Sequence, residues 1–211
     1  MARITLFEVL KKVVKMLNQL RAEWCLCGGV AANYYGSPRA TYDLDILLLL
    51  EECDIETFAK AIKIKKNVLC DIIKISNRYF LEIMSYRVDF WFPKSLYDRE
   101  ILKRRKKVRI DGLDLWIISV EDLIIQKLRS DRLQDIEDLV GIIKVNKKIC
   151  WNYVSYWCKF LGIEPRLNKL LKNKDLRKRV VYSLVDKTEV RRKSNQGRKS
   201  HCEESFAKNR I

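Results

Sequence analysis

Histidine is almost missing from this chain of 211 residues: the one copy is His201, near the C-terminus. That leaves almost no material for histidine-ligated zinc centres or Ser-His-Asp triads. Long apolar runs are missing too. The run 46–50 is far short of the roughly 20 residues that a membrane-spanning helix needs, so no membrane partner is expected. Residues 1–20 read as an amphipathic helix with Leu6, Val9, Leu10, Val13, Val14 and Leu17 on one side. They lack the apolar core and small-residue cleavage site of a secretory leader. The seven cysteines are an odd number, and with no leader they are expected to be reduced thiols in the cytoplasm. Cys25 and Cys27 alternate onto one side of a short strand. A metal role would need a second Cys or His pair, so they read as small buried hydrophobes. No internal repeat is visible.

Acids are in deficit. Lys and Arg number 43 against 27 Asp and Glu, a formal net charge of +16. That balance favours polyanionic partners such as nucleic acid or nucleotides. Hydrophobic residues make up 48%, enough for one sizeable core with an appendage. The pattern predicts strands at 24–27, 44–50, 71–76, 79–85 and 87–92. A hairpin is expected over 108–118, turning at Asp111-Gly112. Helices are expected at 30–35 and 54–65, then from Ser119, from near Asp131, at 150–161 and at 166–171, with another at 174–185. The class is therefore α+β: a mixed sheet flanked by helices over 1–118, a helical C-terminal part over 119–186, and a basic, disordered tail over 187–211. The run 103–107, five basic residues, reads as a solvated loop or as part of an electrostatic track for RNA. Trp151, Tyr153, Tyr156 and Trp157, at helical spacings, read as core of the C-terminal helices in preference to a base-stacking platform.

The residues that carry chemistry gather in 28–47. Gly28-Gly29 ends one apolar segment and opens a helix. Asp43 and Asp45 then sit on a strongly apolar strand, where residues two apart point to the same side. Two carboxylates on one side of a buried strand repel each other and lose hydration. A bound divalent cation is the simplest physical explanation. A third acid, Asp89, follows in the setting Val88-Asp89-Phe90.

Gly28, Gly29, Asp43, Asp45 and Asp89 together resemble the nucleotidyltransferase superfamily, whose fold is shared with DNA polymerase β and the minimal bacterial nucleotidyltransferases. The finer pattern is similar to the AbiEii-type toxins of toxin–antitoxin systems. It comprises Arg39-x-Thr41-x-Asp43-x-Asp45 and then Lys127-Leu128-x-x-x-Arg132-x-x-Asp135-x-x-Asp138. The resemblance spans about residues 20–145. It implies a transfer of nucleoside monophosphate from a nucleoside triphosphate to a hydroxyl. In that reading Asp43, Asp45 and Asp89 hold Mg²⁺, one ion or two. Asp89 could also take the proton of the attacking hydroxyl. The turn at Gly28 and Gly29 faces a phosphate. Arg39 and Lys127 neutralise the triphosphate, Thr41 bonds a phosphate or orients the loop, and Asp135 orients Lys127 or acts in the site. A tRNA 3′ end as acceptor and an antitoxin protein as partner follow from the AbiEii likeness. Two other readings stay open: a catalytically silent module binding RNA or protein, and an enzyme modifying a small molecule such as an antibiotic. Lys127 also reads as half of a surface pair with Asp131, and Asp135 and Asp138 as partners for Arg132.

Overall fold

The computed structural model describes residues 5–20, 22–130 and 132–172. The helix expected at 174–185 and the tail at 187–211 lie outside them. The chain divides into two compact units. Of the described residues, those up to 34 and from 38 to 119 form the first, and 35–37 with those from 120 to 172 the second.

The first unit holds one six-stranded mixed sheet in the order β3-β4-β2-β1-β6-β5. Its strands are β1 (Glu23–Leu26), β2 (Asp43–Leu49), β3 (Arg78–Ile83), β4 (Tyr86–Trp91), β5 (Lys106–Ile110) and β6 (Leu113–Ile117). β2 runs antiparallel to β1 and parallel to β4, and β3 is an edge strand antiparallel to β4. The helices here are α1 (Leu6–Asn18), α2 (Gly28–Tyr34), α3 (Glu52–Ala61), α4 (Lys66–Ile75) and α5 (Leu96–Lys103). The second unit is helical: α6 (Val120–Ser130), α7 (Leu133–Val145), α8 (Trp151–Phe160) and α9 (Glu164–Leu170). The α+β class expected from the pattern is the class observed. No helix among the described residues is long and apolar enough to cross a membrane.

Local chemistry accounts for most of these elements. α1 starts on a capping box, with the Glu8 N–H donating to Thr5 Oγ1 and the Thr5 N–H to Glu8 Oε2. Val9, Leu10, Val13, Val14 and Leu17 are its buried stripe. The β5–β6 hairpin turns at Asp111 and Gly112, both at positive φ, as a two-residue turn of this kind requires. The sheet core includes Leu44, Ile46, Val88 and Phe90, with Phe58 of α3 edge-on to Phe90 at 5.1 Å between centroids.

Three expectations do not survive. Residues 71–76 belong to α4, not to a strand. Val68, Leu69, Ile72 and Ile75 recur at helical spacing, and the alternation of Ile73 and Ile75 with polar neighbours mimics a strand only locally. The run 103–107 is not a solvated loop: it spans the end of α5 and the start of β5. Arg105 donates to Glu23 and to the Leu102 carbonyl, and stacks on Trp116. Among the aromatic residues of α8, Trp151 and Tyr153 are buried, but Tyr156 is exposed. Cys25, Cys27, Cys53, Cys70 and Cys158 are in no disulfide.

Phe90 and Phe80 lie on adjacent strands but on opposite sides, the first fully buried and the second 59% exposed. Phe90→Ala should cost about 3–5 kcal/mol in a denaturant titration. Phe80→Ala should change stability by no more than about 1 kcal/mol.

Candidate active site

In the first unit, β1 ends at Leu26 and α2 begins at Gly28, and the Cys27 N–H donates to the Asp45 carbonyl of β2 at 2.8 Å. This seats the glycine turn directly on the acid-bearing strand. Gly28 has φ +58°, and a Cβ built there would lie 1.7 Å from Asp45 Oδ2. The position therefore excludes a side chain twice over, by its backbone conformation and by the carboxylate across from it. A Cβ on Gly29 would lie 2.6 Å from Thr41 Oγ1 and 3.2 Å from a terminal guanidinium nitrogen of Arg39. Thr41 in turn donates to Asp43 Oδ1 at 2.8 Å. Gly28, Gly29, Arg39, Thr41, Asp43 and Asp45 thus form one contiguous group.

The sheet adds Asp89. Asp45 pairs with Asp89 and Asp43 with Arg87 across the parallel β2–β4 ladder. Leu44 and Ile46, between and beside the aspartates, are buried, while Asp43 and Asp45 are half-buried on the other face. Arg87 grips Asp89 with two bonds of 2.8 Å, from Nε to Oδ2 and from Nη2 to Oδ1. The hydrogen bond to Asp89, then its charge, and more weakly those of Asp43 and Asp45, raise the Arg87 pKa above its ordinary value.

Two residues of this group were not singled out from sequence. Arg87 is one; its signal was an Arg two residues before the third acid, on the same strand face. Asn33 is the other. Its amide donates to the Arg39 carbonyl at 2.9 Å, and its Oδ1 accepts from the Arg39 N–H at 3.0 Å. It thereby holds the loop that carries Arg39 and Thr41 to α2, and a lone Asn in a helix gives no such signal.

The carboxylates supply hard oxygen donors, and the strands bring them to one face, which suits Mg²⁺. Yet no three His, Cys, Asp or Glu side chains among the described residues gather as a metal-holding group. Thr41 engages Asp43 and Arg87 engages Asp89 instead.

Lys127 and Asp135 lie in the second unit, in a buried ionic cluster of their own. Lys127 Nζ reaches Asp135 Oδ1 at 2.8 Å and Asp138 Oδ2 at 2.6 Å. Arg132 Nε donates to Asp135 Oδ2 at 2.7 Å, and Ser37 Oγ to Asp138 Oδ1 at 2.9 Å. Lys127 is 4% exposed and both aspartates 1%. The three ends of the Lys-x₇-Asp-x₂-Asp spacing therefore meet at one ammonium. Asp131 lies outside the described residues. Burial raises the Asp135 pKa, but hydrogen bonds from Arg132, Lys127 and Ser130 and the Lys127 charge outweigh it and bring the carboxyl down to about 2.

Two outcomes follow from these contacts. Gly28→Ala should destabilise the chain by at least about 1–2 kcal/mol. Asp45→Gly should restore part of that loss in the double variant, read as coupling in a denaturant-unfolding cycle. For Asp135 the folded pKa lies below the reference 3.8. Its contribution, about 2 kcal/mol, is therefore full above pH 4 and is lost as pH falls toward 2. Asp135→Asn should flatten that acid limb of the stability profile.

A family described as nucleotidyl transferase of unknown function (DUF2204) matches residues 81–194, more than half of the chain. The match takes in Asp89, Lys127, Asp135 and Asp138, and begins after the glycine turn and the Asp43–Asp45 pair. No curated protein matches the chain. The fold is similar to the crystal structure of an antigenic nucleotidyltransferase-like protein from Paracoccidioides brasiliensis, with a TM-score of 0.52 at 15% identity over 82% of this chain and 90% of that one. Weaker likenesses are to a candidate nucleotidyltransferase from Thermotoga maritima and to the antibiotic-resistance factor ANT(2″)-Ia. The first has a TM-score of 0.44 at 15% identity, over 69% of this chain and 97% of that one. The second has a TM-score of 0.40 at 12% identity, over 87% and 96%. By the span of its family match, the chain belongs to the DUF2204 nucleotidyltransferases.

Proposed function

We propose that the chain transfers a nucleoside monophosphate from a nucleoside triphosphate to a hydroxyl of an RNA 3′ end, with Mg²⁺ held by Asp43 and Asp45 and completed by Asp89. The observation that carries this reading is the register of Asp45 against Asp89, with the Asp45 side chain seated over Gly28. Bound there, Mg²⁺ would offset the charge of the triphosphate and of the departing pyrophosphate. The acceptor oxygen forms a bond to the α-phosphorus as the bond to the β-phosphate oxygen breaks, and pyrophosphate leaves. Asp89 takes the acceptor's proton. Both carboxylate oxygens of Asp89 accept from Arg87, so Arg87 must release Asp89 first, and its charge is then free for a phosphate. Arg39, beside Gly29, contributes a second cation on the phosphate side. The Lys127 cluster shapes the second unit, and Asp135 sets the position of the Lys127 ammonium. The net charge of +16 supports an RNA acceptor, and the motif likeness supports tRNA and a toxin held in check by an antitoxin protein.

A silent module that binds RNA without turnover is the second reading. It is favoured by the engagement of Asp89 with Arg87 and the lack of a gathered three-carboxylate group among the described residues.

Labelled nucleoside triphosphates, Mg²⁺ and total tRNA should give label in RNA and free pyrophosphate. Asp45→Asn should lower that transfer at least about 100-fold, with thermal unfolding unchanged. RNA binding without transfer at any Mg²⁺ concentration would leave the silent reading standing.

A further inference from the structure

The face of β3 and β4 that carries Asp89 also carries an alternation of rings and guanidinium groups, of which the proposed chemistry uses only Arg87. Arg78 pairs with Trp91 across the antiparallel ladder, its guanidinium carbon 4.5 Å from the ring centroid. One step along, Phe80 pairs with Asp89, and Arg87 lies 4.2 Å over the Phe80 ring. Phe80 is 59% exposed, and Arg78 and Arg87 are exposed. The other face of β3, with Tyr79, Leu81 and Ile83, is the less exposed one, so Phe80 is not there to fill the core. A large ring kept on the open face of an edge strand is a poor choice for solubility. It becomes useful where something flat and anionic must lie down. Cross-strand partners stand about 5 Å apart, and residues two along a strand about 7 Å. The ring at Phe80 is thus one side-chain neighbour from the acid assigned to the acceptor hydroxyl, and Trp91 is the next ring along.

We infer that Arg78, Phe80, Arg87 and Trp91 form a stacking strip for the terminal bases of a single-stranded RNA acceptor. Bases lie on rings and on guanidinium planes, which are sequence-tolerant platforms. The guanidinium groups answer the phosphates, and with Glu82 across from Arg87 the strip is not a featureless basic patch. A protein partner would be served by the apolar ring but has no need of two guanidinium groups laid flat on rings. The inference rests on the transferase reading only for what happens at Asp89. The affinity of the strip for RNA stands or falls separately.

Fluorescence anisotropy with a labelled, unstructured oligoribonucleotide of about ten nucleotides tests it on the full chain. Phe80→Ala should weaken binding at least about tenfold, Phe80→Tyr should retain it, and Arg78→Met should weaken it and lower its salt dependence. Binding of a non-hydrolysable nucleoside triphosphate should be unchanged in Phe80→Ala. Unchanged RNA affinity in Phe80→Ala, with the fold intact by thermal unfolding, overturns the strip while leaving transfer untouched. RNA affinity that depends on Phe80 in a chain without transferase activity upholds the strip and removes the transferase reading. No RNA binding by the wild-type chain overturns the strip and leaves this face to a protein partner.

Discussion

The contact between Gly28 and the Asp45 carboxylate is the constraint on which the candidate site depends. It ties the end of β1, the start of α2 and the middle of β2 to one point, because no side chain fits between them. Everything else in the group is referenced to that point. Thr41 and Arg39 stand over Gly29, Asn33 holds their loop to α2, and Asp89 is fixed by its register with Asp45. A cluster of like charges is costly in a folded chain, and this one is balanced locally by Arg87 rather than by dispersal.

The second unit solves a harder electrostatic problem in a different way. Lys127, Asp135 and Asp138 are all withdrawn from water, which is unfavourable for each taken singly. The ammonium shared by two carboxylates, with Arg132 and Ser37 on the remaining oxygens, satisfies most of the hydrogen-bonding capacity. Such a network fixes α6 against α7 more by geometry than by net energy. Removing any one member would strand the others.

Sequence patterning reached the parts of the chain where one local rule dominates. The amphipathic stripe of α1, the Asp111-Gly112 hairpin and the apolar β2 strand are each over-determined by their own residues. The grouping of Gly28, Gly29, Asp43 and Asp45 was visible because glycine and same-side carboxylates have few other uses together. Patterning failed where rules compete. In α4, isoleucines at two-residue spacing hid a helical stripe. α5 was missed although Ser95 and Asp98 form its capping box, a signal that is easily passed over beside Pro93. The β3–β4 connection at Met84 and Ser85 carries no glycine, proline, asparagine or aspartate, so the strand was read through the turn to residue 85. Arg87 stands only two residues from Asp89 and Asn33 six from Arg39, but spacing alone does not say that these side chains meet, nor that Lys127 and its carboxylates are withdrawn from water together.

That Met84–Ser85 connection has a dynamic consequence. Both residues take positive φ, at 56° and 67°, a conformation that costs side-chain-bearing residues about 1–2 kcal/mol each. β3 is joined to β4 by a tight turn under tension and, among the described residues, pairs with no strand on its other edge. Of the six strands, β3 is therefore a low-cost place for local opening, with amide exchange there outpacing that of the central strands. An acceptor strand lying on its rings would act as a splint. Order in β3 would then report occupancy of the sheet face at a distance from the chemistry itself.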